Sequence, residues 1–247
     1  MKKEYIIVIV AYLIMQFSGI LGVPLFAFIA KTMNIAVDQI KIASFAYWSI
    51  FSFIVTLIIS LFVLRKDFRS SSSLLRNREQ ENVSISIMWA IMGVFLAFFS
   101  QSFAITIENM LGIGAGSDNT AFLVDVVATI PIFVIVTAIV GPILEELVFR
   151  KIIFGSLYKK YNFVISALIS SFIFGFAHFE FEHIILYTAM GFTFAFLYVK
   201  TNRILVPIFA HVAMNTTVVV AQIMLREDID NMLKDMEQLQ SIIGGFL

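Results

Sequence analysis

Two adjacent carboxylates and an arginine stand inside an otherwise apolar stretch, Gly141-Pro142-Ile143-Leu144-Glu145-Glu146-Leu147-Val148-Phe149-Arg150. On a helix, Glu146 and Arg150 lie four apart on one face and can pair, while Glu145 points about 100° away and stays free for another partner. Two later apolar segments repeat the four-residue spacing around polar groups: His178 with Phe174 one turn before it, and His211 with Asn215. A glutamate and a histidine brought together polarise water, the carboxylate taking its proton and the imidazole orienting it or shuttling protons. A second histidine with an asparagine can hydrogen-bond the oxyanion that forms when that water attacks a carbonyl. The parts match hydrolysis of a peptide bond. Glu145, His178 and His211 could equally bind zinc with a position left open for water, and the residue types leave both readings open. The zinc helix His-Glu-x-x-His is absent, and the run from His178 to His183 has the wrong spacing for it.

These groups must be held at membrane depth. The 247 residues are 60% hydrophobic and 14% charged, against roughly 45–50% apolar and 25% charged in soluble domains. Charge in such a setting costs at least ~2.5–3.5 kcal/mol per group, so it is read as functional and as facing the bundle interior. Seventeen basic and seventeen acidic residues leave no net charge, which argues against a nucleic-acid partner. The lack of cysteine excludes disulfides, thiolate catalysis and cysteine-ligated metal.

The apolar runs predict an all-α, polytopic bundle of about seven to eight spans. Tyr5–Ala30, Ile42–Leu64 and Val83–Ile107 are each long enough to cross. Thr120–Tyr161 is about 60 Å of helix and must bend, with Pro131 and the Gly141-Pro142 pair as the expected breaks. Phe163–Ala177, Ile184–Val199 and Ile204–Leu225 complete seven crossings, and the residues after Arg226 have the pattern of an amphipathic helix. The organisation expected is 1–120 as N-terminal membrane helices, 121–225 as the segment bearing the chemistry, and 226–247 as an amphipathic tail. Measured from the basic ends by rise per residue, Glu145 lies ~20 Å, His178 ~22 Å and His211 ~12 Å deep.

In that order and spacing, Glu145-Glu146-x-x-x-Arg150, Phe174-x-x-x-His178 and His211-x-x-x-Asn215 resemble the three motifs of the CPBP family, which holds CAAX prenyl endopeptidases and bacteriocin-processing proteins. The resemblance spans about Ala121 to Leu225. It implies an intramembrane protease with a cavity opening to the cytoplasm or to lipid, in which Glu145 and His178 activate water and His211 and Asn215 stabilise the oxyanion. Glu146, Arg150 and Phe174 support that site. It leaves the cofactor as none or one divalent metal such as zinc, held by Glu145, His178 and His211. It further implies a membrane-associated peptide or protein substrate, such as a bacteriocin or quorum-sensing precursor, and a bacterial cytoplasmic membrane. The alternative is a non-catalytic immunity or scaffold protein of the same fold.

Basic residues mark the cytoplasmic face: Arg65 to Arg78, Lys159–Lys160 and Lys200–Arg203 on one side, with no Lys or Arg in 108–119 or 180–183 on the other. His211 and Asn215 lie nearest the basic face, so the shorter water route is expected from the cytoplasm. Single cysteines in this cysteine-free chain test the orientation. A membrane-impermeant thiol reagent on intact cells should label Ser117→Cys and spare Ser71→Cys, and the reverse pattern would invert the topology.

Overall fold

The computed structural model describes residues 2–32, 37–69, 75, 79–114 and 116–225. Among these, eight helices follow in order: α1 (Lys3–Thr32), α2 (Val37–Arg69), α3 (Val83–Met110), α4 (Asp118–Thr129), α5 (Pro131–Tyr158, of mixed winding), α6 (Phe163–Phe176), α7 (Ile184–Thr201) and α8 (Leu205–Met224). Six of them, all but α4 and α6, are long and apolar enough to cross a membrane. The expected amphipathic tail, 226–247, lies outside the described residues.

Polar contacts gather the helix ends at two faces. On the basic face, Lys2 Nζ meets Asp67 Oδ1 at 2.7 Å, and Arg203 Nε donates to the Glu81 carbonyl at 2.9 Å. The first joins the start of α1 to the end of α2, and the second joins the α7–α8 turn to the start of α3. On the opposite face, His183 reaches Glu108 and Ser117 reaches Glu180. The helix α4 starts at that second face and α5 ends next to Lys159–Lys160, so the two together make one traverse. With α6, whose 14 residues span ~21 Å, the chain passes between the faces seven times, as its apolar runs predict.

The helix α5 sits at the centre. Of its most apolar window 61% is buried, against 17–39% for the other five long helices, whose outward side chains, such as Leu21 and Phe95, present an apolar surface to lipid. Val140, Leu144, Leu147, Phe149 and Ile152 of α5 pack with Tyr5, Val8, Tyr12 and Met15 of α1, Leu64 of α2 and Phe174 of α6 in one core cluster. The N-terminal helices therefore share a core with the segment that carries the motifs.

The chain does bend at Pro131, where Ile130 leaves the helical region at φ −132°, ψ 84°. At Gly141-Pro142 the expected break does not occur. Instead the helix widens to i→i+5 winding over Ile135–Val140, returns to α over Gly141–Glu145, and widens again over Glu146–Phe154. The cause is local. A proline ring collides with the carbonyl four residues back, and a wider turn moves that carbonyl away. The Gly141 N–H bonds to the Val136 carbonyl, and a Cβ at Gly141 would stand 3.0 Å from that oxygen. In i→i+5 winding the next carbonyl, Thr137, would wait for the N–H that Pro142 lacks. It takes a side chain from α8 instead, as described below.

Close approach of α6 and α7 depends on Gly191, where a Cβ would lie 2.8 Å from Ser171 Cβ and 3.0 Å from Ser171 Cα. Small residues at such contacts let membrane helices meet backbone to backbone. Gly191→Leu should lower thermal stability in detergent by at least ~1–3 kcal/mol, the usual cost of overpacking. An unchanged unfolding midpoint would show that α6 and α7 do not pack this closely.

Candidate active site

A cavity of about 730 Å³, within the ~300–1,000 Å³ range of ligand sites, runs among the helices. Its wall includes Glu145 of α5, Phe174 of α6, His178 just beyond α6, and His211 and Asn215 of α8. All three histidines of the chain line it, and among the described residues no Lys or Arg does.

Glu146 and Arg150 lie beneath this wall, fully buried. Arg150 Nε stands 3.3 Å from Glu146 Oε2, an ionic contact one helical turn apart. The other carboxylate oxygen, Glu146 Oε1, meets His211 Nδ1 at 2.9 Å. A carboxylate on Nδ1 fixes that nitrogen as the N–H and leaves Nε2 on the opposite side of the ring. There, Nε2 faces Glu145 Oε2 at 3.6 Å. The first glutamate looks into the cavity and the second holds the histidine from behind.

Aromatic rings set the remaining orientations. His211 stacks on Phe194 with ring centroids 4.5 Å apart and 19° between planes. The Arg150 guanidinium lies over Phe174 at 4.1 Å, while its two terminal nitrogens have no hydrogen-bond partner among the described residues. The ring face compensates part of that burial. Phe174 presents its edge geometry to His178 at 4.5 Å, and its carbonyl contacts His178 Nδ1 at 2.8 Å. A carbonyl only accepts, so His178 also carries its proton on Nδ1 when neutral and keeps a lone pair on Nε2. Asn215 Nδ2 donates to the Thr137 carbonyl at 3.3 Å, the group that Pro142 leaves open.

The arrangement differs from the expected one in two respects. Glu145 has His211 as its near imidazole, and no hydrogen bond or ion pair joins it to His178 among the described residues, although both line the cavity. The direction of access is also reversed. The cavity reaches Glu108, Gly114, Gly116, Ser117 and Asn119 on the face without basic residues, and none of Lys2, Lys159, Lys160 or Lys200 lines it. Counting rise along α8 placed His211 near the basic face, but the last turns of α5, from Glu146 to Phe154, are almost wholly buried there and close that side.

The zinc reading finds no ligand set. Among the described residues no three His, Asp or Glu side chains gather as a metal site requires. The Nδ1 atoms of His211 and His178 are engaged by Glu146 and by a backbone carbonyl, which leaves Nε2 of each ring as the nitrogen for any other partner.

Several residues at the site carry no motif. Tyr12 of α1 lines the cavity and packs edge-on against Phe149 at 5.6 Å. Gln16, one turn on, contacts the Ala177 carbonyl at 3.4 Å. Their four-residue spacing along α1 was the signal available, a polar stripe on an apolar span. Glu108 is buried on α3 and accepts from His183 Nδ1 at 2.9 Å and from the Leu186 N–H at 3.0 Å.

Comparison with known proteins bears on the same region. Residues 127–217 match the model of the type II CAAX prenyl endopeptidase Rce1-like family, a stretch that holds α5 to α7, most of α8 and every motif residue. A Bacillus subtilis (strain 168) protein named "Putative membrane peptidase YdiL" is 47% identical over 247 residues, 99% of each chain. The chain belongs to the Rce1-like CAAX protease family. A second relative within reach of this Rce1-like family member is the Staphylococcus aureus (strain USA300) "Membrane-embedded CAAX protease MroQ", 39% identical over 145 residues, 56% of this chain and 59% of that protein. No solved structure matches it. Family and helices together make it a multi-pass cell-membrane protein of CAAX-peptidase type.

Removing Arg150 would leave the Glu146 carboxylate buried with only an imidazole beside it. Such a loss costs ~3–5 kcal/mol. Arg150→Ala should lower folded yield, the unfolding midpoint in detergent, and peptidase activity together. Wild-type values for all three would make Arg150 a bystander.

Proposed function

We propose that the protein is an intramembrane endopeptidase that hydrolyses a peptide bond of a membrane-associated substrate with Glu145 as general base. The observation that carries this is the pairing of Glu145 Oε2 with His211 Nε2 across 3.6 Å at the cavity wall, while Glu146 holds the other side of the same ring. A carboxylate and an imidazole this close at a cavity wall are the elements of proton transfer, and such contacts tighten when substrate binds.

In this reading a water molecule sits between Glu145 and the Nε2 lone pair of His178. Glu145 takes a proton as the water oxygen bonds to the scissile carbonyl carbon. The carbonyl oxygen becomes an oxyanion, to which the second N–H of Asn215 Nδ2 donates together with Nε2–H of His211, which in this reading enters the step as an imidazolium with Nδ1–H on Glu146. Glu146 stabilises the positive charge that His211 carries in that state. Glu145 then returns its proton to the leaving amine as the C–N bond breaks, giving a carboxyl and an amine product.

The cavity wall supports a particular kind of substrate. It carries aromatic and aliphatic side chains, among them Phe45, Trp48 and Phe133, with amides and hydroxyls spaced between them. An apolar extended peptide with its backbone groups hydrogen-bonded fits such a lining, and leader-bearing precursors of bacteriocin or quorum-sensing peptides are the substrate class we assign. With the basic face in the cytoplasm, the peptide comes from the opposite face or from the bilayer.

The test uses quenched-fluorescence peptides of apolar sequence with the protein in detergent or proteoliposomes. Glu145→Gln, His178→Ala and His211→Ala should each reduce cleavage by ~10²–10⁴, the usual worth of an acid–base group, and each should remain in the membrane fraction. Full cleavage by Glu145→Gln would sink the proposal.

A further inference from the structure

His178 stands two residues beyond the end of α6, where no further turn of helix supports it. Two of its contacts, the Phe174 carbonyl on Nδ1 and the Phe174 ring, come from its own segment. Its third comes from elsewhere. Tyr187 of α7 lies nearly parallel to the imidazole, with centroids 3.9 Å apart and 21° between planes.

Tyr187 is itself anchored. Its hydroxyl donates to Glu180 Oε2. The other oxygen of Glu180 accepts from Ser117 Oγ at 2.5 Å and from the Asn119 N–H at 3.4 Å. Ser117 caps α4, its hydroxyl also accepting from the Thr120 N–H at 2.9 Å, so this chain of contacts ends on a helix terminus. Between His178 and Glu180 the backbone turns through Phe179 at φ 59°, a left-handed conformation that a bulky residue adopts only when its surroundings enforce it. That turn lets residues 178 and 180 meet the same tyrosine, one on its face and one on its hydroxyl.

We propose that Tyr187 and Glu180 are positioning residues that hold the His178 ring in working orientation and tie it to the α4 cap at the cavity mouth. The proposal rests on the reading of His178 as part of the site. Neither residue reacts with the peptide. Tyr187 sets the ring plane, and Glu180 sets Tyr187. A misplaced catalytic group costs up to ~10²-fold in rate, which makes the support measurable.

The experiment exploits the count of three histidines, so that ring ¹⁵N and ¹³C signals of histidine-labelled protein in detergent can be assigned by substitution. In the wild type, the His178 ring protons should be shifted upfield by the face of Tyr187, with one tautomer protonated on Nδ1. Tyr187→Leu should abolish the upfield shift, mix the two tautomers and lower kcat ~10–10²-fold with little change in KM. Tyr187→Phe keeps the ring and loses the anchor, so it should retain the shift, broaden the signals and fall between. If Tyr187→Leu fails to fold, Tyr187→Phe and Glu180→Ala carry the test. His178 signals identical to wild type in the folded variants would overturn the proposal. The ring signals do not depend on turnover, so that result is distinguishable from cleavage surviving in Glu145→Gln, which sinks the peptidase reading instead.

Discussion

The Glu146 carboxylate is the constraint from which the rest of the site follows. It has no exposed surface, and burying an ion at membrane depth is unfavourable unless its oxygens are taken up. One oxygen goes to Arg150 and the other to His211 Nδ1. The first contact fixes the turn of α5 that carries Glu145. The second docks α8 against α5 and decides which nitrogen of His211 looks into the cavity. Arg150 in turn needs the faces of Phe174 and Phe194, so α6 and α7 are drawn into the same arrangement. One buried charge thus orders four helices around one opening.

Irregular winding of α5 does complementary work. Wide turns on both sides of Gly141–Glu145 are the local answer to a proline inside a membrane helix, where every freed carbonyl must find a partner. The Thr137 carbonyl finds Asn215. The same proline that disturbs α5 therefore holds the amide that faces the cavity on α8. Wide turns of this kind recur at functional sites because they redirect side chains without ending the helix.

Much of this was legible in the sequence, and the reasons for the rest are physical. Apolar runs are set by bilayer thickness, so the spans and their number could be read directly. The Glu146–Arg150 contact could be read from four-residue spacing, since it lies within one helix. Contacts between distant segments could not. His183 with Glu108 and Glu180 with Ser117 join residues 75 and 63 positions apart, and nothing local marks them. The side on which the cavity opens was misread for a related reason. Rise per residue gives depth along a helix, but which end of the bundle is packed shut depends on side chains from several helices, here the buried turns of α5 from Glu146 to Phe154. At Pro142 the rule that proline breaks helices met a tertiary environment that favoured rewinding over breaking.

The most direct measurement on the central claim is a double-mutant cycle at Glu146 and Arg150, read as unfolding midpoint in detergent. Replacing one member of a buried pair strands the other charge, whereas replacing both with apolar residues of similar volume removes the problem. Glu146→Leu and Arg150→Met should each be strongly destabilising, and the double variant should be more stable than the Arg150→Met single variant, even though it has lost the grip on His211. Strictly additive losses, with the double variant the least stable of the set, would contradict the claim that this buried charge pair organises the site.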